Sequence, residues 1–111
     1  MEWIITCQIK PPAANGGTTP IGTNPNQAAE KERDRAEMER RGYRDIRSNQ
    51  EQVNAQGVRV GRGKPDLQGT DPTTGIRHYI EYDQDPANGV AHKQRILAND
   101  PAGNVTTKTI K

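Results

Sequence analysis

The chain contains no phenylalanine, and aromatic residues make up only 4% of it. Hydrophobic residues reach 30%, well under the share usual in globular domains. A core built from so little is thin. Cys7 is the single cysteine, which excludes an internal disulfide and a zinc site made of paired cysteines. No apolar run approaches the length that spans a bilayer. The first ten residues, MEWIITCQIK, lack a basic leader and a cleavage site behind a long apolar segment. A removable secretory signal is therefore not expected, and no membrane partner either. Nor does one sign of charge dominate. Sixteen Lys and Arg stand against 14 Asp and Glu, for a net charge of +2. Such balance argues against an unfolded polyelectrolyte and leaves the choice of partner to where the charges sit.

A length of 111 residues fits one domain. Residues 1–23 read as a short N-terminal strand, WIITCQI, followed by a Pro-, Gly- and Thr-rich linker. The compact part is expected over residues 24–111. Asn24 caps a helix, Pro25 suits its first position, and Gly42 suits its end. Within it, Glu30/Arg33 and Glu37/Arg41 have ion-pair spacing. Strands are expected over Tyr43–Asn49, around Val58 and Val60, and from Ile76 to Asp83. PDLQG forms a hairpin with the last of these across the turn Asp71–Gly75. A second helix opens at Asn88 or Gly89, and NVTTKTI closes the chain as a strand. The order helix, strand, strand, strand, helix, strand predicts an α/β (α+β) domain on a small mixed sheet.

The strand IRHYIEYD carries the chemistry. Ile76, His78, Ile80 and Tyr82 share one face; Arg77, Tyr79, Glu81 and Asp83 share the other. Across the turn, Asp66 comes opposite Glu81, because paired strands bring Cβ atoms to about 5 Å. Two carboxylates that close repel unless a cation lies between them, and oxygen ligands suit Mg²⁺ or Mn²⁺. Asp83 offers a third. The plainer alternative is a turn residue plus a solvated strand face. Arg59, Arg62, Lys64 and Arg77 bracket the hairpin, with Lys93 and Arg95 beyond it. Such a ring suits a phosphate backbone, and Tyr79 is the one candidate for base stacking.

These residues resemble the motif of the PD-(D/E)xK nucleases, the restriction-endonuclease-like superfamily. Pro65-Asp66 matches the first half of that motif and Glu81-Tyr82 the start of the second. The likeness is greatest to the short nuclease domains at the C-termini of polymorphic bacterial toxins, and it covers residues 24–111. It implies a restriction-endonuclease-like core and a metal-dependent nuclease, with Asp66 and Glu81 as the metal ligands and Asp83 assisting. The motif lysine is replaced by Asp83, so its role passes to Lys93 or, next, Lys64. Gln94 would contact nucleic acid with Arg62, Lys64 and Arg77. Glu30 or Glu37 would add a ligand from the first helix, unless both are surface ion pairs. The resemblance also implies a secreted competition effector acting in the cytoplasm of a target bacterium on DNA ahead of RNA, and blocked by a cognate immunity protein. Two rivals remain: a metal-independent RNase using His78 and His92, and a non-enzymatic adaptor or binding module.

Overall fold

The computed structural model describes residues 24–111; the strand and linker expected over 1–23 lie outside the described residues. Helix α1 runs Pro25–Arg40. The Asn24 side chain accepts hydrogen bonds from the backbone N–H groups of Asn26 and Gln27 at its start. Gly42 follows its end with φ +79, a conformation that favours glycine. The helix is highly charged, with Glu30–Arg33, Glu32–Arg35 and Glu37–Arg40 pairs along it. Glu37 thus takes Arg40 and not the expected Arg41. Only Gln27 and Met38 are buried in it.

Four strands form one sheet in the order β1-β2-β3-β4. They are β1 Arg44–Ser48, β2 Leu67–Thr70, β3 Arg77–Asp83 and β4 Asn104–Thr109. β1, β2 and β3 are antiparallel neighbours, and β4 lies parallel to β3. Parallel pairing requires a crossover, supplied by helix α2, Pro86–Asn99. The architecture is α+β on a mixed sheet, with the expected element order. The hairpin also forms as expected: Leu67 pairs Ile80 and Thr70 pairs Arg77.

Three expectations need correction. The segment around Val58 and Val60 is not a strand. Gly57 takes φ +81 and the segment makes only an isolated bridge, Val53 to Arg59, while Val58 stays exposed. Helix α2 starts three residues before Gly89, because Asp85 caps it and Pro86 takes the first position. Finally, neither face of β3 is a solvated polar face. Met38 of α1 packs with Leu67 and Tyr82 on one side, joined by Tyr43, Ile46 and Ile80. Ile96 of α2 packs with Tyr79 and Val105 on the other. The alternating strand therefore carries buried side chains on both sides, and its polar residues are enclosed with them.

The long connection from β1 to β2 lies on the α2 side and is held by buried polar groups. Gln68 is fully buried; its side chain accepts from Val53 N–H and donates to the Gln50 and Glu51 carbonyls. Gln52 donates to the Ile96 carbonyl and accepts from Asn99. The Tyr79 hydroxyl lies 2.6 Å from Asp100 Oδ2 and 2.8 Å from the Val53 carbonyl.

Candidate metal centre

Strand direction places the site. β2 begins where β3 ends, so Asp66, just before β2, meets Glu81 and Asp83 near the end of β3. Two reciprocal hydrogen bonds fix the approach. Asp66 N–H donates to Glu81 Oε2 at 3.0 Å, and Tyr82 N–H donates to Asp66 Oδ2 at 2.9 Å. Glu81 and Asp83 are 7% and 9% exposed. Both sit on the α2 side, and there His92 reaches them. His92 Nδ1 is 3.2 Å from Glu81 Oε1 and 3.0 Å from Asp83 Oδ1. One ligand atom from each of Glu81, Asp83 and His92 lies within 4.8 Å of the others.

Gly89, one turn before His92, lets α2 come this close. A Cβ there would lie 3.3 Å from both Asp83 Oδ2 and Thr107 Cβ. Beside the cluster is a cavity of ≈ 30 Å³ lined by Gly63, Lys64, Glu81, His92, Arg95 and Asn99, among others. That is room for a water-sized group.

The electrostatics are those of negative charge confined in a small space. Burial, then the neighbouring Asp66 and Asp83 carboxylates, push the Glu81 carboxyl up to about 8. Burial also raises Asp66, opposed by the Tyr82 N–H and the Lys31 ammonium. Burial lowers the Lys31 ammonium in turn, against the attraction of Asp66. Asp83 Oδ2 and His92 Nδ1 are buried with no hydrogen-bond partner among the described residues. The two short contacts of Nδ1 therefore lack hydrogen-bond geometry. Buried polar atoms without partners are costly, and a cation within the cluster would give His92 Nδ1 a partner and relieve the repulsion. The donor set of carboxylates and an imidazole fits a divalent metal ion.

The expected site residues divide into three groups. Glu81 and Asp83 come together with His92, and Lys64 lines the adjoining cavity. Asp66 is tied to Glu81 through its backbone N–H and to the Tyr82 N–H through its carboxylate, but it is not one of the three clustered ligand groups. Arg62, Lys93 and Gln94 are exposed and outside the cavity lining. Arg77 and Tyr79 are corrections. Arg77 is 1% exposed and donates through Nη1 to Thr70 Oγ1 and the Arg44 carbonyl, so it is no part of a basic rim. Tyr79 is fully buried in the α2-side core and cannot stack on a base. Glu30 is ion-paired with Arg33 and, in a half-buried contact, with Lys108; Glu37 is ion-paired with Arg40 at the surface. His78 lies on the α1 side, edge-on to Tyr43 at 5.6 Å. His92 lies on the α2 side. The sheet between them prevents a paired acid and base.

Sequence reasoning left His92 as a possible base and passed over Lys31 altogether. The spacing Gly89-x-x-His92 was the available signal, since it puts both residues on one helix face. No helix among the described residues is long and apolar enough to cross a membrane. The chain matches no family model, no curated protein and no solved structure.

Proposed function

We propose that this protein is a metal-dependent nuclease with a restriction-endonuclease-like core. The observation that carries the reading is the meeting of Asp66, Glu81 and Asp83 at one end of the β2–β3 hairpin, with Asp66 and Glu81 held there by hydrogen bonds. Two features support it further. Pro65-Asp66 leads into β2 and Glu81 stands on the neighbouring β3, where the PD-(D/E)xK resemblance puts its motif halves. The element order is the one that resemblance implies.

Asp66, Glu81 and Asp83 hold the ion in this reading. A divalent cation bound there supplies Lewis acidity toward a phosphoryl oxygen and lowers the pKa of water. Lys64 and Arg95, on the cavity wall, bind the phosphate and offset its charge. Lys64 takes the place of the motif lysine ahead of Lys93, which is exposed and does not line the cavity. Exposed Arg62 extends the contact along the backbone. DNA is the favoured substrate over RNA. By the resemblance alone, the domain acts as a secreted competition toxin in the cytoplasm of a target bacterium and is neutralised by an immunity protein.

Incubation of the purified chain with plasmid DNA and with total RNA tests the reading. Cleavage is expected with Mn²⁺ or Mg²⁺. It should vanish in EDTA and in Glu81→Ala and Asp66→Ala. Cleavage that survives chelation, or that is equal in both variants, overturns it. So does the absence of cleavage by the folded wild-type chain under all of these conditions.

A further inference from the structure

Carboxylates alone leave His92 unexplained. Its Nδ1 is buried, makes no hydrogen bond among the described residues, and faces two carboxylate oxygens at 3.0 and 3.2 Å. An imidazole with its proton on Nε2 presents a lone pair at Nδ1. For metal–ligand bonds of about 2.1 Å, adjacent ligands stand about 3.0 Å apart at a right angle and about 3.4 Å apart at the tetrahedral angle. The two measured separations fall in that interval. Asp83 Oδ2, in a residue only 9% exposed, is also without a partner among the described residues.

We propose that His92 is itself a metal ligand, and that it makes the centre select a first-row transition ion such as Mn²⁺, Co²⁺ or Zn²⁺ over Mg²⁺. The inference rests on the metal-centre reading above and narrows its choice of Mg²⁺ or Mn²⁺ toward Mn²⁺ and its neighbours in the transition series. Mg²⁺ is a hard ion that prefers an all-oxygen octahedron and keeps its waters. Imidazole favours the later, softer ions, in the order Mn²⁺ below Co²⁺. His92 belongs to α2, whereas Glu81 and Asp83 belong to β3. An ion shared by the three ties the crossover helix to the sheet, so binding raises the melting temperature.

Calorimetric titration of the wild-type chain and of His92→Ala with Co²⁺, Mn²⁺ and Mg²⁺ tests this, beside electron spin-echo spectra of the Mn²⁺ complex. Co²⁺ and Mn²⁺ should bind more tightly than Mg²⁺. His92→Ala should weaken them by about tenfold to a hundredfold, the scale of loss seen when the ligand sphere is disturbed, and leave Mg²⁺ nearly unchanged. The wild-type Mn²⁺ complex should show nitrogen modulation from one imidazole. Equal loss for all ions on His92→Ala, or a Mn²⁺ spectrum without nitrogen modulation, overturns the inference. The wild-type spectrum decides the matter even if His92→Ala fails to fold. Tight Mg²⁺ binding without nitrogen modulation defeats this inference alone; no binding of any ion defeats the metal-centre reading as well.

Discussion

Glu81 is enclosed beside two other carboxylates, and its proton is correspondingly hard to remove. Its carboxyl is pushed up from 4.5 to about 8, by burial first and then by Asp66 and Asp83. The folded chain thus binds this proton more tightly than the unfolded chain does. The resulting stability is fully present below the unfolded value of 4.5 and is lost as pH rises through about 8. The melting temperature of metal-free protein should fall across that window, and Glu81→Gln should flatten the fall. A wild-type melting curve independent of pH there would mean that the carboxyl ionises as readily in the fold as in the open chain. A bound cation competes with the same proton, so metal affinity rises with pH over the same range.

At the scale of elements, the connection between β1 and β2 carries Lys64 to the site, with Arg62 exposed two residues before it, and buried polar groups fix its course. Tyr79 is the pin nearest the core. Tyr79→Phe removes a hydroxyl that serves both Asp100 and the Val53 carbonyl, at a cost of about 1–3 kcal/mol. The expected result is a lower melting temperature together with faster amide exchange at Val53, whose N–H is bonded to Gln68. Unchanged exchange would show that the glutamines suffice to hold the loop. Much at this scale was legible in the sequence. Caps and turn residues act locally, so α1 and the β2–β3 hairpin could be read, and the hairpin register in turn brought Asp66 to Glu81. The start of α2 was hidden because Asp85-Pro86 reads equally well as a turn. The valines at 58 and 60 have strand propensity, but flanking glycines and the absence of a partner strand outweigh it. His92 escaped because its place depends on how α2 docks on the sheet. Arg77 and Tyr79 escaped because period-two alternation says which residues share a face, but not whether a helix covers that face.

For the whole molecule, a net charge of +2 supplies little long-range attraction for a polyanion. In the proposed nuclease, affinity for nucleic acid therefore rests on the few cations near the cavity. Replacing Arg62 and Lys64 together by alanine should weaken binding evenly across sequences. It should also reduce the slope of log affinity against log salt by roughly two, at about one unit per phosphate contact. Fluorescence anisotropy in EDTA, where cleavage is absent, measures this. An unchanged slope would place the nucleic-acid path elsewhere on the surface.

The register shift between Arg44 and Arg47 sets two residues of β1, Asp45 and Ile46, against one of β2, and Asp45 takes φ +51. Among the described residues this is a bulge on an outermost strand of the sheet, and it breaks the even row of amides and carbonyls that another chain would need for pairing. With charged side chains at Arg44, Asp45 and Arg47 beside it, that border of the sheet is a poor template for aggregation. A protein with so small an apolar core guards itself there by backbone shape as well as by charge.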